Sequence, residues 1–565
     1  MPPPALDTVA AAGDVTGVTT AAPQPELPPA RPRFLIQLGL AAASALLLVA
    51  AHEPWRQFYL AWVALVPLML ALRDSSIRRA ALIGFFAAMV YFPVLLYWIW
   101  HATFLGAAAL VIWSAAYWAI FGVAAAVIQR ADGSGQRAAK SLLAALCIPA
   151  AWTALEWVRS WMWTGFPMAM ISHSQVSLTT WCQVADLGGE FAVTFWVVAV
   201  NTLLFLAIVH RRQIRVIAPA AAMVLAMLLG VWGYGKWRLS ETQTTVAPGP
   251  TVMVVQSNFP HQRGGARTVT FEEQIQFHFD TSEAALRDAK GVELVAWSET
   301  VLPAMNPEAV RRSNNPDLST RLHQRLIDFT REHNAALVFG AYALLNFPKD
   351  PAEADVRTSA YFYSPALPHQ PRYDKVHLVP FGEIVPFKHD WPWLHRLLFR
   401  MAAYSVQYVI TPGSRDALTV FALPSGARFV TPICYEDMDG ILLRQMLAPQ
   451  PDGRKRADFI VNITNDGWFD STEKKQHLAG AAFRSIENRV WTARSCNTGI
   501  SGFVDSTGRW SAETTLPPNT SGTKTLAVGI DRRIAPYARI GNAFAAACAV
   551  IAIAGLAYAL IRGRA

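Results

Sequence analysis

Charge is scarce in this chain, and so are cysteine and metal-binding spacings. Of 565 residues only 16% are Asp, Glu, Lys or Arg, while 53% are hydrophobic, and the mean hydropathy is +0.25. That balance is unusual for a soluble enzyme and points to a membrane protein. The five cysteines, Cys147, Cys182, Cys434, Cys496 and Cys548, have no paired spacing. This argues against a disulfide framework, even where an oxidising exterior would permit one. The thirteen histidines form no HExxH pattern and no paired CxxC occurs, so neither a metal nor another cofactor is expected. Residues 1–33 are rich in Pro and Ala and lack a basic segment followed by an apolar one. They read as a disordered tail, not a signal peptide.

Apolar runs, by contrast, are plentiful. Crossing a bilayer takes roughly 20 residues, and such runs fall at 34–51, 55–72, 80–100, 104–128, 141–158, 190–209, 215–235 and 540–561. Arg56 opens the second and Glu156 sits inside the fifth. Residues 236–539 have ordinary soluble composition and enough length for their own core. The predicted organisation is therefore a tail at 1–33, a membrane domain at 34–235, a soluble domain at 236–539, and a last span with a short tail at 540–565. Basic residues mark every second loop: Arg31 and Arg33, then Arg73, Arg78 and Arg79, then Arg130, Arg137 and Lys140, then Arg211, Arg212 and Arg215, and finally Arg562 and Arg564. By the positive-inside rule those loops and both termini are cytoplasmic, and the soluble domain lies outside. Much of the net charge of +9 is thus topological, and no nucleic-acid partner is expected.

Within the soluble domain, strand-like runs at 251–256, 292–297, 336–342, 358–364, 428–434 and 458–464 alternate with helical patterns such as 271–289, 317–333 and 472–492. That alternation predicts α/β layers. Three apolar runs adjoin residues with chemistry: Glu299 after the second, Lys375 in Tyr373-Asp374-Lys375-Val376-His377, and Cys434 in Thr431-Pro432-Ile433-Cys434-Tyr435-Glu436-Asp437. A free thiol, with a pKa of about 8.5, is a weak nucleophile near neutrality until a base takes its proton. Glu299 is the candidate base, and Lys375 the candidate partner of the thiolate and then of an oxyanion. Tyr435 offers a backbone N–H to that oxyanion, and Glu436 a supporting anchor. The competing readings are a buried structural thiol and a surface ion pair; His377 also invites a cysteine-protease reading. A further stripe, Trp391, Trp393, Leu394, Leu397, Leu398, Phe399 and Met401, is broken by His395, Arg396 and Arg400. It reads as an amphipathic helix, either packed in the core or lying on a membrane surface.

The order Glu299, Lys375, Cys434 resembles the nitrilase, or carbon–nitrogen hydrolase, superfamily. Joined to a membrane array, it resembles the apolipoprotein N-acyltransferase family. That likeness extends to Val255 to Pro260, Phe381 to Pro386, Asn462 to Phe469, His477, Glu487-Asn488-Arg489 and Asn497 to Ser501, and to Gly165-Phe166-Pro167 with Ser174-Gln175. The chain departs from the family pattern at Ser298, in the absence of a Trp over 263–271, and at Cys496. The resemblance implies an α-β-β-α sandwich beside about eight transmembrane helices, with Glu383 in the active site positioning Lys375. It also implies an inner-membrane enzyme. An acyl chain would pass from a phospholipid, such as phosphatidylethanolamine, through a thioester to the N-terminal amine of a diacylglyceryl apolipoprotein. The alternative is a membrane-tethered amidase or nitrilase acting on a small soluble amide.

Overall fold

The computed structural model describes residues 30–102, 104–130, 137–163, 165–259, 269–312, 316–347, 355–367, 371–380, 382–385, 387–388, 390–401, 410–468 and 471–562. The expected tail falls outside these residues up to position 29, and so do residues 263–268 of the tryptophan-free stretch. The first helix opens at Ala30, inside the span assigned to the tail.

Among the described residues, seven helices are long and apolar enough to cross a membrane: Arg33–Ala51, Ile77–Leu95, Phe104–Arg130, Arg137–Trp161, Glu190–Val209, Ile214–Thr245 and Ala543–Ile561. The predicted second span is broken. It forms a 3-10 helix at Phe58–Trp62 and a short α-helix at Val66–Leu72 that begins beside Pro67. Proline fits the first turn of a helix but cannot donate within one, so the run restarts there. Despite the break it returns along the whole first helix. Arg33 pairs with Asp74 at 3.9 Å, the Gln37 amide donates to the Ala71 carbonyl at 2.9 Å, and Ser44 donates to the Ala64 carbonyl. With it, the described residues hold about eight spans. The seventh predicted run also differs, because its helix continues ten residues past 235, to Thr245, and feeds directly into the first strand. Inside the bundle, small residues bring backbones together. A Cβ built on Gly84 would stand 2.2 Å from the Trp118 carbonyl oxygen.

The soluble domain has two sheets. One has six strands in the order Gly522–Asp531, Val246–Gln256, Val292–Ala296, Ala336–Leu344, Val356–Tyr363 and Arg372–Asp374. The other has five, in the order Gly502–Val504, Trp491–Cys496, Phe459–Thr464, Arg428–Val430 and Phe421–Ala422. Alternation sends Val252, Val254, Leu294 and Val338 into a core shared with Phe429, Ile460 and Ile463 of the other sheet. Met253, Val255, Val295 and Leu337 face the opposite way, onto Phe279 of helix Phe271–Asp288 and Phe329 of helix Pro316–Glu332. The α-β-β-α sandwich is completed on its other side by helix Ser471–Asn488. The helical pattern expected to reach 492 stops short, because Arg489 takes a left-handed φ of 52° and Trp491 opens a strand. Leu478, Ala482, Phe483 and Ile486 of this helix join the same apolar cluster as the membrane helices.

Candidate active site

Glu299, Lys375 and Cys434 each follow the end of a strand, two from the six-stranded sheet and one from the five-stranded sheet. Close approach begins with Gly340, where a Cβ would stand 2.6 Å from the Glu299 Cα, so the neighbouring strand must carry glycine there. Glu299 and Lys375 are 6% and 1% exposed. The Lys375 ammonium donates to Glu299 Oε1 at 3.2 Å and to Glu383 Oε1 at 2.8 Å. The second oxygens are also engaged: Glu299 Oε2 accepts from the Asn465 N–H at 3.0 Å, and Glu383 Oε2 from the Val379 N–H at 2.8 Å. An exposed ion pair is not what these contacts describe.

Cys434 stands at an elbow with φ of 52°, a left-handed conformation that costs free energy for any residue with a side chain. The Asn462 amide holds the turn by donating to the Pro432 and Cys434 carbonyls at 3.1 and 3.3 Å. Glu436 ties the elbow to the lysine segment. Its carboxylate accepts from Ile433 N at 2.8 Å, Val376 N at 2.7 Å, His377 N at 2.9 Å and the Tyr373 hydroxyl at 2.9 Å. The Tyr435 N–H lies in the first turn of the 3-10 helix Cys434–Met438, where no acceptor exists within the helix. The Tyr435 ring meets His377 edge-on at 5.6 Å and packs against the apolar cluster of the membrane helices. His377 itself pairs through Nδ1 with Asp439 at 2.9 Å.

Electrostatics follow from burial. Burial and then Glu299 push the Cys434 thiol well up, against the pull of Lys375, so the resting thiol is protonated. Burial also raises Glu299, although Lys375 opposes it. Burial disfavours the Lys375 charge, but Glu299 and Glu383 overcome it and raise this group well above its ordinary value. The site therefore holds a neutral thiol, a fixed cation and a carboxylate more basic than usual, the arrangement for thiol activation by proton transfer.

A second buried cluster lies beside the elbow. His477 Nε2 meets Asp437 Oδ1 at 2.6 Å, and its Nδ1 faces Glu473 Oε1 at 3.3 Å and Asp466 Oδ1 at 3.4 Å. Arg494 pairs with the other Asp437 oxygen. Burial opposes the charge on His477, but Asp437 and Asp466 raise it well above its ordinary value. Against burial, His477 draws Asp466 down to about 2, while burial and Asp466 raise Glu473 to about 7. Asp466, Glu473 and His477 present donor atoms within 4.8 Å of one another, and Arg494 with a charged His477 offsets the carboxylates. The cluster joins the two segments that carry the site: Asp437 is three residues past Cys434, and Asp466 follows Asn465, whose N–H holds Glu299.

Sequence reasoning assigned none of these roles. His477 and the Asn462 to Phe469 stretch stood out only as motif letters, and Arg494 carried no signal. An ionic seam to the membrane helices was equally unforeseen. Arg489 pairs with Asp186 at 2.6 Å, Arg238 with the same carboxylate at 2.7 Å, and Arg484 with Glu190 at 3.0 Å. The Trp391 stripe forms helix Pro392–Met401, and Trp391, Trp393 and Leu397 are exposed by 44%, 64% and 48%. No residue from Trp391 to Arg400 is fully buried, but Leu394, Leu398 and Phe399 are half-buried.

The elbow, the paired sheets and the lysine between two glutamates define a carbon–nitrogen hydrolase domain, and the family model of that description matches residues 251–538. The model described as the apolipoprotein N-acyltransferase N-terminal domain matches residues 44–203. The chain is 30% identical over 405 residues to the apolipoprotein N-acyltransferase of Agrobacterium fabrum, covering 69% of this chain and 67% of that one. It is 29% identical over 518 residues to that of Geobacter metallireducens, covering 88% and 91%. With that of Methylococcus capsulatus it shares 29% over 485 residues, covering 83% and 86%. The chain belongs to the apolipoprotein N-acyltransferase family and is a membrane-bound acyltransferase.

Proposed function

We propose that this enzyme moves an acyl chain from a phospholipid, through a thioester on Cys434, to the N-terminal amine of a diacylglyceryl-cysteine lipoprotein. Glu299 takes the thiol proton, and the thiolate attacks an ester carbonyl of the donor, phosphatidylethanolamine being the expected one. Lys375 and the Tyr435 N–H stabilise the oxyanion. As the ester C–O bond breaks, Glu299 returns its proton to the departing alkoxide, which leaves as lysophospholipid. The amine then attacks the thioester, Glu299 accepts its proton, and the cysteine sulfur departs as the amide forms. Glu383 positions Lys375, and Glu436 fixes the elbow.

The observation that carries this reading is where the nucleophile's own turn packs. Met438 belongs to the apolar cluster of the membrane helices and Tyr435 packs against it, which supports a thiol beside the bilayer, where lipid esters are found. An amidase for small soluble substrates has no use for that placement. Intact-mass measurement after incubation with phospholipid tests it. The expected result is one acyl adduct on the full chain and none on Cys434→Ala. An adduct that persists in Cys434→Ala would overturn the assignment.

The alternating basic loops support a catalytic domain on the outer face of the inner membrane. In a Cys434→Ala background, a cysteine introduced at Glu332 should react with an impermeant maleimide in intact spheroplasts, and one at Ser76 only after permeabilisation. The reverse pattern would invert the orientation.

A further inference from the structure

An open groove of about 690 Å³ lies where the broken second pass meets the helix Glu190–Val209. Val63, Val66 and Pro67 form one wall, and Leu204, Ile208 and Arg211 the other; the remaining lining side chains are also apolar. The break creates the space. The helix is held against the run where Asn201 accepts from the Leu65 N–H at 2.8 Å and donates to the Ala61 carbonyl at 2.8 Å. Beyond that clamp, the interrupted backbone does not fill the gap.

The groove fits within one leaflet. Leu204 is five residues from the helix end at Val209, roughly 8 Å along its axis, and half of a bilayer's hydrocarbon core is about 15 Å. Glu190, at the other end of the same helix, pairs with Arg484 of the catalytic domain. The helix ends at Val209, 19 residues further on and roughly 28 Å away at 1.5 Å per residue, and Arg211 follows in the turn. The groove therefore opens on the membrane face remote from Cys434.

Lipid tails are the solvent here, so a groove walled by side chains as apolar as the tails is filled by one of them. Headgroup selection falls to the mouth. Arg211 makes no ion pair among the described residues, and Arg212 and Arg215 beside it make none either. Guanidinium groups at the headgroup level attract a phosphate with net negative charge.

On the premise that the chain spans the bilayer, we propose that this groove binds one acyl chain of an anionic glycerophospholipid, its phosphate on Arg211, in the leaflet opposite the catalytic domain. This lipid is not the acyl donor, because its ester lies a bilayer's thickness from the thiol.

Native mass spectrometry of the full chain, with phosphatidylglycerol and phosphatidylethanolamine of identical acyl chains, tests the proposal. The wild type should retain phosphatidylglycerol about fivefold better, a preference on the scale of one surface cation. Arg211→Gln should lose that preference, and Leu204→Trp, which fills the groove, should retain at least one lipid fewer. Both variants should still form the Cys434 thioester, which separates a failure here from a failure of the acyltransferase reading. An unchanged preference in Arg211→Gln overturns the headgroup assignment. Unchanged lipid number in Leu204→Trp, or a dimer that this substitution dissolves, overturns the groove as a lipid site.

Discussion

Helices Pro316–Glu332 and Ser471–Asn488 form outer layers on opposite sides of the same sandwich, and both carry charge along their length. Of the first, only Leu326, Phe329 and Thr330 are buried. Of the second, every residue from Thr472 to Asn488 is buried except Lys475. The first helix turns its charges to water. The second sets Arg484 and Glu487 against Glu190, and Glu473 and His477 against Asp466 and Asp437. One side of the domain is thus an ordinary solvated surface, and the other is an interface in which each charge needs a partner. Buried pairs add little net stability relative to apolar packing, but losing one partner strands the other. The seam therefore acts as a registration device: it fixes how the thiol's elbow sits on the membrane helices.

If the buried side carries both the chemistry and the docking, substitutions there should dominate. Glu299→Gln removes the proton acceptor and should slow thioester formation by about 10²–10⁴-fold, read as acyl-enzyme appearance by intact mass. Normal acylation with only the second step blocked would assign the first proton transfer to another group. Lys375→Met should cost on the order of 10²–10³-fold through loss of oxyanion stabilisation, in the same assay.

Arg489→Leu leaves Asp186 with only Arg238 and Tyr234 as charged or hydroxyl partners. It should destabilise the full chain by about 3–5 kcal/mol. Arg331→Ala, on the exposed helix, should fall within about 0.5 kcal/mol. Thermal unfolding of both variants in one detergent gives the contrast, and equal shifts would erase the distinction between the two faces.

The smallest effect concerns pH. Burial and Asp466 raise Glu473 to about 7, above roughly 4.3 for a free glutamate. The folded protein then binds that proton more tightly, so this contribution to stability is full below about pH 4.3 and is lost as pH rises through about 7. Glu473→Gln should flatten the fall in Tm across that window. A slope equal to the wild type's would mean that Glu473 is already ionised at its lower end.

Local properties of the sequence determined a great deal. Apolar runs of bilayer length, basic residues in alternate loops, and Glu299, Lys375 and Cys434 each beside an apolar strand are statements about neighbours along the chain. Hydropathy and strand periodicity report such neighbours directly. What only the tertiary structure decided involves residues distant in sequence. The second pass is broken yet complete, because its partners are Arg33, Gln37 and Ser44 of the first helix. Helix Ser471–Asn488 is buried along nearly all of its length, because a membrane bundle covers the face that its charges would otherwise offer to water. Asp437, Asp466, His477 and Arg494 come from four segments, and no spacing rule links them. Their meeting depends on three strands of the five-stranded sheet and the helix packing at once, so the free energy that makes them a cluster exists only in the folded chain.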